Sequence, residues 1–220
     1  MEENEQQLKK LVQSLQGKIR GGSLDSSEIK FATEALASIG YQYNANLFPE
    51  LSIDADFSST ISDSPNSLAE ALLWKMGKWN IYRDFVNNYS SDNALVKKSN
   101  VVFSAFAKHL RNSNSPIYDQ HTLRAMWAIN TNLTPKHRMQ CKSVLIKSKG
   151  KEKGEWKSTL SGSETIACYE LYVAQLNELT SNSLSKSTLD KLLMPLGKAL
   201  KFYTKNYELF SLLCRHRERT

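Results

Sequence analysis

The sequence predicts an all-α protein: two helical lobes with one small extended insertion. Three observations lead there. Apolar residues recur at helical spacing through most of the chain, helix-start and helix-stop signals bracket those runs, and one stretch breaks the pattern. The chain has 220 residues, 40% of them apolar or aromatic, which is enough for one large domain or two lobes around a shared cleft.

The elements follow in order. Leu8, Leu11, Val12, Leu15 and Ile19 form one apolar stripe, and Gly21 and Gly22 end that helix. A second helix starts in "SLDSSE", where Ser and Asp residues precede Glu28, and stops at Gly40. Residues 41–65 are rich in Ser, Asp and Asn and read as a long connection. "SPNSLAEALLWKMGKW" reads as a helix capped near Asn66 or Ser67, with Leu68, Ala71, Leu72 and Met76 along its buried side. "NIYRDFVNNY" continues as a short helix. The next helix has Val101, Val102, Ala105, Phe106 and Leu110 on one face. "DQHTLRAMWAIN" places Leu123, Met126 and Trp127 on one side and Arg124 on the other. Two helices close the pattern, "GSETIACYELYVAQLNEL" and "STLDKLLMPLGKALKFYTKNYELFSLL", with Pro195 expected to kink or split the second.

The exception is "SVLIKSKGKEKGEWKSTL", which alternates weakly around Gly150 and Gly154 and reads as a β-hairpin or extended loop. It also carries the charge. The chain is formally +7, and residues 136–157 hold eight basic side chains against Glu152 and Glu155. In an extended hairpin Lys147, Lys149, Lys151 and Lys153 share a face, a geometry suited to tracking a phosphate backbone. A solvated loop is the plainer alternative. The basic balance points to a polyanionic partner, nucleic acid or an anionic membrane surface.

Other classes recede. The three cysteines and four histidines show no metal-ligand spacing, so no metal site is expected, and free thiols fit a reducing cytoplasm. The polar N-terminal segment is not a signal peptide, and no apolar run reaches the ~20 residues of a membrane span.

Asp119 is the candidate for chemistry. A short carboxylate before a helix accepts hydrogen bonds from the first-turn amides and faces the positive end of the helix dipole. Most such residues are caps. One held at a cleft mouth can also stabilise a developing cation or orient an attacking water.

The stretch "SNVVFSAFAKHLRNSNSPIYDQHTLRAMWAI" resembles the helix–hairpin–helix DNA glycosylases, the group of endonuclease III and 8-oxoguanine glycosylase. Pro116, Ile117, Asp119 and Arg124 match the family's turn, its helix-opening Asp and the Arg that follows. "ALLWKMGKW" and "LSKSTLDKLLMPLGKALK" are similar to blocks of divergent bacterial members, and the likeness spans residues 66–204 in scattered pieces. It implies one glycosylase-like domain over residues 1–220, acting as a monomer on double-stranded DNA in a cleft between its lobes. It implies Asp119 as the catalytic carboxylate, Tyr118, His121 and Trp74 against the extruded base, and Arg124, Lys98, Lys147, Lys149, Lys151 and Lys153 on DNA. Read from their spacing alone, Trp74, Trp79, Phe103, Tyr118 and Trp127 belong to the core, as large aromatics at helical spacing usually do.

The sequence departs from the family in two places. The hairpin region "NYSSDNALVKKSN" lacks the usual Gly-x-Gly, leaving Asp92 and Asn93 to build the turn. Lys97 and Lys98 lie farther from Asp119 than the family's lyase lysine, and they read as solvated. The implied activity is therefore hydrolysis that leaves an abasic site, with no cofactor and no iron–sulfur cluster. An unusual substrate, such as the hypermodified DNA of bacteriophage, would make this a defence protein. A non-catalytic DNA-binding module of the same fold, or a helical interaction protein, are the alternatives.

Overall fold

The computed structural model describes residues 2–43, 65, 67–90, 101–112, 114–134, 162–179 and 184–203. Among them are eight α-helices and no strand, as an all-α chain requires. These are α1 (Glu2–Gly21), α2 (Ser26–Ser38), α3 (Leu68–Lys75), α4 (Trp79–Ser90), α5 (Val101–Arg111), α6 (Gln120–Ile129), α7 (Gly162–Leu179) and α8 (Lys186–Tyr203). The expected connection lies largely outside the described residues, and the basic β-hairpin wholly so. None of the described helices is long and apolar enough to cross a membrane.

The chain divides into two compact units. One joins Met1–Tyr43 to Asp119–Thr220, and the other is Asn44–Tyr118.

In the first unit α8 is the central helix. It packs on α6, α2 and α1. Leu189, Leu192, Leu193, Leu196, Ala199 and Leu200 are all fully buried on it. Pro195 leaves it as one helix rather than two. The missing N–H costs one intrahelical hydrogen bond, and burial of the helix on several faces offsets that loss. The α1 stripe is buried at all five predicted positions. Asp25 and Glu28 close a capping box at the start of α2, and Gly40, at φ 87°, takes the left-handed conformation that ends the segment. The Leu24 amide donates to the Leu179 carbonyl at 2.9 Å, tying the α1–α2 turn to the end of α7. A polar chain runs from the interior to the surface: the buried Asn130 amide donates to buried Gln175, which donates to exposed Glu178. Cys168, buried on α7, is a thiol rather than half of a disulfide.

The second unit is smaller. Asn88 on α4 donates to the Ser104 hydroxyl on α5 at 3.0 Å, and Phe85 and Phe106 sit 6.2 Å apart between the same helices. The α3 stripe differs from expectation. Leu68, Leu72 and Met76 are exposed, and the buried residue is Glu70. Ser67, one of the two expected positions, caps the helix, and the Tyr82 hydroxyl donates to the Glu70 carboxylate at 3.3 Å. Glu70 thus faces α4, and the apolar edge faces outward. Trp74 goes with it, at 56% exposed. Val102 and Phe103 on α5 are likewise exposed, outside the expected core.

Candidate functional site

The loop before α6 is built by hydrogen bonds within the second unit. The Ser115 amide donates to the Asn112 carbonyl, and the Asn114 amide to the Asn112 side chain. The Ser115 carbonyl lies 2.7 Å from Nδ1 of buried His109. Pro116, Ile117 and Tyr118 are then buried in turn.

Asp119 opens α6 with extended backbone, φ −149° and ψ −178°. Its Oδ1 accepts the amides of His121 at 2.7 Å and Thr122 at 2.9 Å. Thr122 reciprocates, its hydroxyl oxygen accepting the Asp119 amide at 3.0 Å. This is a capping box with Thr in the place more often taken by Glu or Gln. Both caps fall on one carboxylate oxygen. Among the described residues Oδ2 accepts no hydrogen bond. Asp119 is itself only partly buried.

Arg124, His121, Gly197 and Lys201 of the first unit complete the surroundings. Arg124, expected on the open side of the helix, is only 6% exposed, and its Nη1 is buried without a hydrogen-bond partner among the described residues. Burial works against its charge, and Asp119 works for it. No salt bridge joins the two. His121 is half-buried, with Nδ1 lacking a partner among the described residues. Burial pushes its pKa below the ordinary histidine value, with the charges of Arg124 and Lys201 acting the same way. Asp119 and the Gly197 backbone act against the shift without reversing it. A neutral imidazole at pH 7 follows.

Gly197 fixes how close α6 and α8 come. A Cβ built there would lie 1.9 Å from the His121 carbonyl oxygen and 2.8 Å from its Cα. Only glycine permits that approach. The start of α6 is therefore seated on the middle of α8, with Lys201 one turn beyond the crossing.

The structure thus gathers Asp119, His121 and Arg124 on α6 and adds Thr122, Gly197 and Lys201, which the sequence alone did not single out. The Asp-x-x-Thr spacing signals the first. A glycine two residues after a buried proline within a helix signals the second. Tyr118, expected against a base, is 2% exposed within the second unit, and Trp74 lies on the exposed edge of α3. Lys98, Lys147, Lys149, Lys151 and Lys153 fall outside the described residues. Among those described, no group of three or more His, Cys, Asp or Glu could hold a metal ion.

Comparison with protein-family models, with curated protein sequences and with solved structures finds no match for this chain.

Proposed function

We propose that this protein is a DNA glycosylase that hydrolyses the N-glycosidic bond of a modified or damaged base and leaves an abasic site. One observation carries the reading. Asp119 is locked at the start of α6 through a single carboxylate oxygen, and its other oxygen accepts no hydrogen bond among the described residues. A carboxylate so held needs no reorganisation to face a developing positive charge.

The chemistry follows. As the C1′–N bond breaks, the base leaves with the bonding pair and is protonated, and the sugar takes on oxocarbenium character. Asp119 stabilises that charge and orients a water whose oxygen bonds to C1′. The lysines of residues 136–157, with Lys98, hold phosphates without reading sequence. Extrusion of the base is cheapest where it is damaged or mispaired. Hypermodified phage DNA is a substrate class of the same kind, which would give the protein a role in defence.

A second reading is favoured by the Thr122 bonds. A closed capping box accounts for Asp119 as architecture alone, and the protein would then bind DNA without cutting the glycosidic bond. Incubation with a panel of natural and phage-derived DNAs, followed by abasic-site labelling, separates the two. The glycosylase yields labelled sites that Asp119→Asn abolishes, since Asn keeps the cap and removes the charge. Equal labelling with parent and mutant, or none with any substrate, leaves Asp119 as a cap.

A further inference from the structure

We infer that α3 is a membrane-surface element, which lays its outer edge into the interface of an anionic lipid bilayer. This surface owes nothing to Asp119, which belongs to the other unit.

The helix is amphipathic in the reverse sense. Its one carboxylate, Glu70, is buried and accepts from Tyr82. Leu68, Leu72 and Met76 recur every fourth residue and share one side, where they are 89%, 60% and 59% exposed. Successive residues turn by about 100°, so this edge lies opposite Glu70, with Lys75 beside Leu68 on it. Trp74 is exposed on its flank. Tertiary burial of an apolar face is what usually holds so short a helix in place, and here the apolar face looks outward.

Charge and residue type name the occupant. Glu70 and Asp84 are the carboxylates of α3, α4 and α5, and both are buried. Lys75, Lys78 and Arg111 on and between the same helices are exposed. The outer edge of α3 is therefore apolar and cationic. A second copy would set lysine against lysine. Nucleic acid would satisfy the lysines but leave two leucines and a methionine against phosphate. The groove of a folded partner must match a shape, whereas Leu68 stands almost clear of the surface. An anionic bilayer takes every part. Leucine and methionine enter the acyl boundary, and tryptophan sits at headgroup level. The lysine stems lie along the apolar surface with their ammonium groups on lipid phosphates. At eight residues α3 is about 12 Å long, so it lies in the interface and does not cross it.

The test is cosedimentation of the full chain with vesicles of equimolar phosphatidylcholine and phosphatidylserine, and with phosphatidylcholine alone. The Lys147, Lys149, Lys151 and Lys153→Gln background removes adsorption through those lysines. We expect binding to the anionic vesicles that Leu68→Gln and Leu72→Gln each weaken by about tenfold or more. Lys75→Gln with Lys78→Gln should weaken it by roughly thirtyfold, about fivefold per lysine. All four side chains are exposed, so the variants should keep the parent's circular dichroism. Lipid brominated on its acyl chains should quench tryptophan fluorescence, and Trp74→Phe should abolish that quenching. No binding overturns the proposal, as does binding indifferent to the leucines or quenching that survives Trp74→Phe. Leucine variants that weaken binding to a DNA duplex but not to vesicles would assign this edge to nucleic acid instead.

Discussion

Gly197→Ala is the sharpest perturbation the structure offers. The added methyl would meet the His121 carbonyl oxygen at 1.9 Å, its carbon at 2.4 Å and its Cα at 2.8 Å. Ordinary van der Waals separation begins near ~3.5 Å, so α6 and α8 must separate by about 1.5 Å at the crossing. All three obstructing atoms are backbone, so no side-chain rotation relieves the clash. Overpacking of this kind costs ~1–3 kcal/mol, and a backbone-to-backbone clash belongs at the upper end. Alanine regains ~1 kcal/mol of helix propensity over glycine. A net loss of about 2 kcal/mol remains, which for a chain this long lowers the melting temperature by ~4–8 °C. Urea and thermal unfolding of the variant measure it directly. If Gly197→Ala were as stable as the parent, or more so, propensity would be the only effect present and the close crossing would be refuted.

Other outcomes are expected. His121 has a depressed pKa in the folded protein, so the unfolded chain binds its proton more readily. Stability contributed by the neutral ring is present above pH ~6.5 and falls away as pH drops through the lower folded value. His121→Gln should flatten the stability profile over that window, and an unchanged profile would remove His121 from the account. Replacing Lys147, Lys149, Lys151 and Lys153 with Gln should weaken binding to all duplexes alike. It should also reduce the salt slope by ~0.9 for each phosphate no longer neutralised, whereas an unchanged slope would mean solvated lysines. Borohydride added during turnover should trap no protein–DNA adduct, and strands should break only after alkali. An adduct that disappears in Lys97→Ala or Lys98→Ala would make that lysine a nucleophile.

Local signals were the legible ones. The α1 stripe, the Asp25–Glu28 box, the Ser67 and Asp119 caps and the run of α7 depend on neighbours within a turn or two, and the chain states them outright. What could not be read was tertiary. The outward edge of α3 goes with a buried Glu70 that accepts from Tyr82, twelve residues away. The burial of Arg124 runs against every composition rule for a charged side chain. Gly197 looks like a mild flaw in a helix until the His121 backbone is set beside it. The candidate site was visible at Asp119 because a cap and a catalytic carboxylate share the same signal. Gly197 and Lys201 were not, because they arrive from α8.

The first unit is discontinuous in sequence, and that orders its assembly in time. Helices α1 and α2 are synthesised first, yet their apolar faces are covered by α6 and α8. The Asn4 side chain donates to the Tyr203 hydroxyl across 199 residues. At ribosomal speeds of ~5–20 residues per second the wait is about 10 to 40 s. Over that interval the two amphipathic helices have only each other, and later α6, to cover their stripes, while residues 44–118 emerge between them and their partners. Early chaperone engagement at α1 and α2, released only once α8 has been translated, is the biogenesis such a chain order calls for.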